Sequence, residues 1–327
     1  MKSRFLPAAL LVAISCAVSF AQEEKIVSES NLVTVNVIAT GNKGQYVKGL
    51  KQNQFEVYDE KVKQQIALFS TDEASVSIGI VCEIHNTTPD KTRAMLNSLR
   101  QFTRGLGNGD DFFFTAFAAQ GSVTSEFVPT AEQVLDHLTA VKPGGPTALY
   151  DVVYTASERL RKRRNLKKAL LIVSDGEDEK SQTTYKELMN KLREFDVQIY
   201  AIGIANPAMA QFPGNGRWLF EDLTRQTGRR SFLMDAETAM GRAVLAEMAR
   251  VSGGATYFPE NENEPELIGI CSQITHELRQ QYTIGFYASN IASKNNWRRI
   301  RIVLNRVAGD RREISLAYRQ GYRLVNR

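Results

Sequence analysis

Residues 75–90 read SVSIGIVCEIHNTTPD, an apolar run that gives way to polar residues where a helix should start. Ile78, Ile80 and Cys82 alternate with Gly79 and Val81, so both faces are apolar, the pattern of a parallel strand covered on each side. Beyond Glu83 the chain turns polar through His85, Asn86, Thr87 and Thr88, and Pro89 supplies the fixed φ that suits a first helical position. Ligands of open α/β sheets lie in the crevice past the carboxyl ends of the strands, so Glu83, His85 and Thr87 are expected to project from the functional edge.

Outward from that strand, residues 76–280 alternate apolar runs with amphipathic stretches, the signature of a doubly wound, mostly parallel sheet. The first helix is expected over 89–106, with Leu96, Leu99, Phe102 and Leu106 on one stripe. A strand at 112–117 turns into an antiparallel edge at 123–128, and a short helix is expected over 131–141. The loop KPGGPT at 142–147 leads into a helix whose Leu149, Val152, Val153, Ala156 and Leu160 share a face. A second fully apolar strand, 169–173, ends in Ser174, Asp175 and Gly176, a position equivalent to that of Glu83. Thr184 and Glu187 form a capping box for the next helix, and a strand at 197–204 follows. Residues 206–240 read as an irregular insertion with no assignable role; helix 243–251, strand 255–258 and helix 264–281 complete the region.

The flanks have period two. Val33, Val35 and Val37, then Phe55, Val57, Ile66 and Leu68, mark short strands before the α/β region, and Ile300, Ile302 and Leu304 mark others after it. Each flank alone is marginal, so the two are expected to pair as a small β-sandwich into which the α/β domain is inserted. The expected organisation is a signal peptide at 1–21, an N-terminal β segment at 22–75, the α/β domain at 76–280 and a C-terminal β segment at 281–327.

The 327 residues are 43% hydrophobic and 24% charged, ordinary for a globular chain. Lys2 and Arg4 precede an apolar run over residues 5–20, and Ser19, Phe20 and Ala21 make a small-x-small cleavage site before Gln22: a secretory signal. An uncleaved anchor needs about 20 apolar residues, against which Ser15 and Ser19 argue, and a lipoprotein reading through Cys16 meets Ala13 where a large aliphatic belongs. The expected location is periplasmic or secreted, with no transmembrane helix in the mature chain. Loss of Lys2 and Arg4 lowers the formal net charge from +5 to +3, which marks no nucleic-acid binder. The basic run RKRRNLKK at 161–168 could face an anionic surface, but as the close of a helix it reads first as a solvated face that complements the dipole. Cys82 and Cys271 are too few for a disulfide framework, and spacing alone leaves a bridge between them open.

Three segments resemble the von Willebrand factor A domain in the version found in secreted bacterial proteins with short β flanks: GIVCEIHNT at 79–87, GGPTALYD at 144–151 and LLIVSDGED at 170–178. The resemblance covers residues 76–280 by element order and implies a Rossmann-like fold. In that family the three loops hold a divalent cation through an Asp-x-Ser-x-Ser motif, a Thr and an Asp, and a partner carboxylate completes its coordination. Thr147 and Asp175 fall on the Thr and the Asp, whereas Glu83, His85 and Thr87 stand at the Asp and the two Ser. Thr can replace Ser as a hydroxyl ligand, but Glu is a methylene too long, and imidazole suits Zn, Fe or Ni better than a hard cation. The set Glu83, His85, Thr87, Thr147 and Asp175 is therefore expected to be a degenerate metal site. The first expectation is a metal-free crevice, ahead of Mg²⁺ or Ca²⁺, with a softer metal on Glu83, His85 and Asp175 behind both.

Other chemistries fail on the sequence. KPGGPT lacks the Lys and spacing of a phosphate loop, no Gly-x-Gly-x-x-Gly follows a strand, and there is no Gly-x-Ser-x-Gly elbow. His137 and His276 lie in expected helices, and no metalloprotease spacing links any histidines. The expected function is a non-enzymatic protein-binding, adhesion or assembly module of the bacterial envelope or exterior. Its protein partner would dock at the crevice of the 83–88, 143–147 and 175–178 loops. The alternative is a metal-dependent hydrolase using Glu83, His85 and Asp175.

Overall fold

A computed structural model describes residues 32–42, 44–71, 74–84, 89–107, 109–118, 121–128, 146–204, 236–288, 297–305 and 313–323. The expected signal at 1–21, the helix at 131–141, most of the 206–240 insertion, and His85 and Thr87 lie outside the described residues. In chain order the elements begin with β1 (Leu32–Gly41), β2 (Phe55–Asp59), β3 (Val62–Gln64) and β4 (Ile66–Ser70). The α/β region comprises β5 (Val76–Glu83), α1 (Pro89–Arg104), β6 (Asp111–Ala118), β7 (Gly121–Thr124), α2 (Leu149–Arg161), β8 (Lys167–Ser174), α3 (Tyr185–Glu194), β9 (Gln198–Gly203), α4 (Ala236–Ser252), β10 (Ala255–Tyr257) and α5 (Glu264–Arg279). The tail returns to strands: β11 (Tyr282–Tyr287), β12 (Trp297–Leu304), β13 (Ile314–Ala317) and β14 (Gly321–Arg323).

The central sheet has the order β10-β9-β8-β5-β6-β7, parallel except for the edge strand β7. Every residue of β5 and of β9 is buried, as two-sided coverage requires. On one face Ile78, Ile80 and Cys82 pack with Leu99 and Phe102 of α1 and with Ile274 and Leu278 of α5. On the other, Val81, Leu170 and Ile172 pack with Leu149, Leu188 and Met248 of α2, α3 and α4. Gly79 is small for a reason: a Cβ there would stand 2.8 Å from the Leu170 and Phe113 side chains, which already fill the layer.

The winding reverses between β5 and β8. The helix after β5 lies on one face and the helix after β8 on the other, so the carboxyl ends of these adjacent strands open a crevice. Their register pairs Cys82 with Val173, which brings Glu83 beside Ser174.

The flanks build two antiparallel sheets, β13-β1-β11-β4 and β14-β12-β2-β3, each mixing strands from both ends of the chain. Val35, Val37, Val57, Ile284, Phe286, Ile300 and Ile302 fill the layer between them. On the opposite face of β1 and β11, which is also buried, Asn36 and Thr283 stand opposed, the hydroxyl donating to Asn36 Oδ1 at 2.8 Å. A buried bidentate pair, Arg298 on Asp59 at 2.8 and 2.6 Å, is completed by the Tyr322 hydroxyl at 2.9 Å.

The sandwich joins the α/β region where the chain enters its parallel strands. Thr34 Oγ1 donates to Asp196, just before β9, and Arg319 reaches the same carboxylate. Arg323 meets Glu194 at the end of α3. These contacts lie at the amino ends of the strands, so the crevice is at the opposite edge. No helix among the described residues is long and apolar enough to cross a membrane.

One local expectation needs correction, and one open question closes. Lys167, read as part of a solvated basic run, is fully buried at the start of β8, where its ammonium donates to the Leu278 carbonyl at 3.2 Å; only Arg161, Lys162, Arg163 and Arg164 of that run are exposed. Cys82 and Cys271 are both buried and both free thiols.

Candidate functional site

Glu83 ends β5 and is 1% exposed. It was expected to project from the edge; instead its Oε2 accepts the Ser174 hydroxyl at 2.5 Å across the strand junction. Burying a carboxylate demands such a donor. Ser174 Oγ in turn accepts the Gly176 N–H at 2.9 Å, so one serine ties the end of β5 to the turn after β8.

That turn holds Asp175, buried, whose Oδ1 accepts the Glu177 N–H at 2.9 Å. Gly176 adopts φ +87, the left-handed region that glycine enters without penalty. It also lies directly under α4: a Cβ on Gly176 would collide with the Gly241 carbonyl, and one on Gly241 with the Asp175 carbonyl. Two glycines therefore let the first turns of α4 press on the Asp175 loop.

Thr147, also buried, closes the third loop just ahead of α2. Its carbonyl accepts the Glu179 and Lys180 N–H groups at 3.0 and 3.1 Å. Asp178 lies in the segment between β8 and α3. It is half-buried and accepts the Tyr150 N–H at 2.9 Å and the Ser181 hydroxyl at 2.6 Å. Asp151 answers from α2, accepting the Gln182 and Thr183 N–H groups at 2.9 and 2.8 Å. Burial opposes its ionisation, but these donors and the Thr183 hydroxyl outweigh it and hold the carboxyl below its usual range. The reciprocal Asp151 and Asp178 bonds lock the start of α2 to the 178–183 segment.

The three loops thus converge, Glu83 on Ser174 and Thr147 on Glu179 and Lys180, while His85 and Thr87 lie outside the described residues. Ser174, Gly241 and Asp151 were not singled out as site residues. Only Ser174 carried a signal, its place at the end of an apolar strand beside Asp175. The donors offered to a hard cation are the Thr147 hydroxyl and the carboxylates of Asp175 and Glu83, and one Glu83 oxygen is already engaged by Ser174. Among the described residues no group of three His, Cys, Asp or Glu side chains gathers as a metal site.

A cleft opens beside this junction, with about 400 Å³ of empty space, open solvent included. Ile84, Met95, Ile204 and Leu267 line it together with the polar Glu83, Lys91, Thr92 and Glu262. The Lys91 ammonium, from α1, meets Glu262, from the loop before α5, at 2.7 Å on its lip. Glu262 holds φ +51, an uncommon value for a residue with a Cβ.

Residues 85–214 match the von Willebrand factor type A domain family. Solved structures of similar shape include BatB from Bacteroides thetaiotaomicron, 17% identical over 63% of this chain and 100% of that one, with TM-score 0.44. An aerotolerance-related membrane protein from Bacteroides fragilis is 17% identical over 62% of this chain and 98% of that one, also with TM-score 0.44. A von Willebrand factor type A protein from Catenulispora acidiphila is 10% identical over 84% of this chain and 74% of that one, with TM-score 0.45. No curated protein matches the chain.

Proposed function

The chain carries a von Willebrand factor type A domain, and on that premise we propose that it is a non-enzymatic protein-binding module of the bacterial envelope or exterior. Its partner docks at the crevice of the 83–88, 143–147 and 175–178 loops. The observation that carries this reading is the convergence of chain-distant loops at one sheet edge, through Ser174 on Glu83 and the Glu179 and Lys180 amides on Thr147. The sandwich occupies the opposite edge and leaves this one to a partner.

Docking in this reading does not require a resident cation. The hydroxyl of Ser174 already neutralises the hydrogen-bonding demand of one Glu83 oxygen, and glutamate and histidine at the first-loop positions do not reproduce the short oxygen ligands that Mg²⁺ needs. A module that arrives by a secretory signal at 1–21 meets its partner in the periplasm or outside the cell.

The test is site-specific photocrosslinking in the producing cell. A crosslinker at Pro146, exposed on the crevice rim, is expected to capture a discrete protein, and one at Lys162, at the far edge, is not. The capture should disappear in the Thr147→Ala, Asp175→Ala double variant. Equal capture from both positions, or capture that survives the double variant, removes the crevice from the account.

A further inference from the structure

We propose that Arg242 of α4 receives a carboxylate of the docked partner, so that the crevice reads an acidic residue at its β9 end. This rests on the reading of the crevice as a docking edge and names the group which that edge recognises.

Three contacts place Arg242 at the rim. Its chain neighbour Gly241 presses on the Asp175 loop, where a Cβ on Gly176 would meet the Gly241 carbonyl. Its own guanidinium lies over the Phe258 ring, with Cζ 4.6 Å from the ring centroid. That ring in turn covers Gly203, the last residue of β9: a Cβ there would stand 2.5 Å from Phe258 Cδ1 and Cε1. The side chain is therefore held at the carboxyl end of β9, one residue from the contact between α4 and the Asp175 loop.

What this guanidinium lacks is an acceptor. It carries five N–H donors and stays protonated at neutral pH, and a ring face attracts its charge without taking up those donors. Among the described residues no acid pairs with Arg242 and no oxygen accepts from it. The side chain is half-buried, and burial pulls its pKa below the ordinary guanidinium value; the charge of Glu262 offsets this only in part, and the Glu262 carboxylate is itself held by Lys91 at 2.7 Å.

A cation already stripped of part of its water and seated on a ring loses little further solvation or side-chain freedom when an anion arrives. Its attraction to that anion also exceeds that of a cation on an open surface. Guanidinium and carboxylate match as a fork of two parallel hydrogen bonds, and the carboxylate is the group of an unmodified protein partner that fills this geometry.

A random heptapeptide library displayed on phage and panned on the full chain supplies the probes. The peptides recovered are measured by fluorescence polarisation against wild type, Arg242→Gln and Arg242→Lys, and each is also made with its Asp or Glu replaced by Asn or Gln. The expected consensus contains an acidic residue. Binding should fall tenfold or more in Arg242→Gln and several-fold in Arg242→Lys, which keeps the charge and loses the fork. Replacing the acid of the peptide should cost as much as Arg242→Gln, and the two changes together no more than either alone, the sign of a direct pair. If Arg242→Gln does not unfold cooperatively, Arg242→Lys carries the comparison. A consensus without an acid, peptides indifferent to the variant, losses that add, or no enrichment at all overturns the assignment. If crosslinking from Pro146 persists while the peptides disagree, only this inference fails; if that crosslinking is absent, the docking edge itself fails.

Discussion

The Ser174 hydroxyl donates to Glu83 Oε2 at 2.5 Å across the junction where the sheet reverses its winding. A hydrogen bond to a charged group contributes about 1.5–3 kcal/mol, and leaving a buried carboxylate without one costs at least as much. Ser174→Ala also strips the Gly176 N–H of its acceptor. The expected result is a loss of about 2–4 kcal/mol in urea unfolding, with Glu83→Gln losing less because the amide oxygen still accepts from the serine. A Ser174→Ala variant as stable as wild type would remove this bond from the description of the crevice.

The contact between Gly176 and Gly241 sets two effects in opposition. Alanine at 241 gains about 1 kcal/mol of helix propensity, but its Cβ meets the Asp175 carbonyl, a backbone atom that cannot swing aside. Overpacking of that kind costs about 1–3 kcal/mol, so Gly241→Ala should destabilise on balance. Gly176→Ala should cost more, because it adds left-handed strain at φ +87 to a clash with Gly241. Denaturant midpoints for both variants check the order; a stabilised Gly241→Ala would show that α4 does not press on the loop.

What could be read from the sequence and what could not divides along distance in the chain. Strand β5 was legible because burial on both faces leaves an unbroken apolar run, and the Thr184 cap because its partner Glu187 lies three residues on, where the structure finds the reciprocal bonds. The direction of Glu83 was not, since nothing in residues 75–90 says that Ser174 will stand in the neighbouring strand. The same holds for Asp178, whose donor Tyr150 precedes it by 28 residues. Lys167 looked like one more cation in a basic run until the end of α5 supplied a carbonyl from position 278. Local pattern identifies elements; side-chain direction at a crevice depends on which distant strand becomes the neighbour.

The sandwich has its own polar keystone, Asp59 with Arg298 and Tyr322. Asp59 is 0% exposed and the Arg298 side chain 6%, so removing one partner strands the other. Asp59→Ala should cost about 3–5 kcal/mol, whereas an Asp59→Leu, Arg298→Met double variant should recover much of that loss, since an apolar replacement of a buried pair leaves no charge uncompensated. Tyr322 would still lose its acceptor, which keeps recovery short of wild type. Guanidinium unfolding of the two variants and wild type gives the comparison; a double variant worse than Asp59→Ala would contradict it.

Burial pushes the Cys271 thiol up to about 12 and the Cys82 thiol higher still, with Glu83 adding to the shift at Cys82. Neither thiol should react with iodoacetamide at pH 8 in the folded protein, and both should react in urea. The sign of the linked stability follows. A raised folded-state value means the native protein keeps protons that the unfolded chain releases near the ordinary value of 9.0. The thiol contribution is therefore complete below about pH 9 and is lost as pH rises toward the folded-state value. Alkylation of native protein at pH 8 followed by mass spectrometry checks the first point, and urea midpoints at pH 8 and 10 the second.

The cation question has a thermodynamic answer that needs no knowledge of the partner. An ion that binds only the folded state stabilises it by RT ln(1 + [L]/Kd), about 2.7 kcal/mol at a hundredfold excess over Kd, so a functional site cannot hide from a melting curve. With Glu83 engaged by Ser174, Mg²⁺, Ca²⁺, Mn²⁺ and Zn²⁺ at millimolar concentration are each expected to leave the melting temperature unchanged. A rise with Mg²⁺ or Ca²⁺ that vanishes in Thr147→Ala and in Asp175→Ala would instead mean that the crevice reorganises around a hard cation, with Glu83 released from the serine. A rise confined to Zn²⁺ and lost in His85→Ala would favour the hydrolase alternative, because imidazole is a ligand for the softer ion and not for the harder ones.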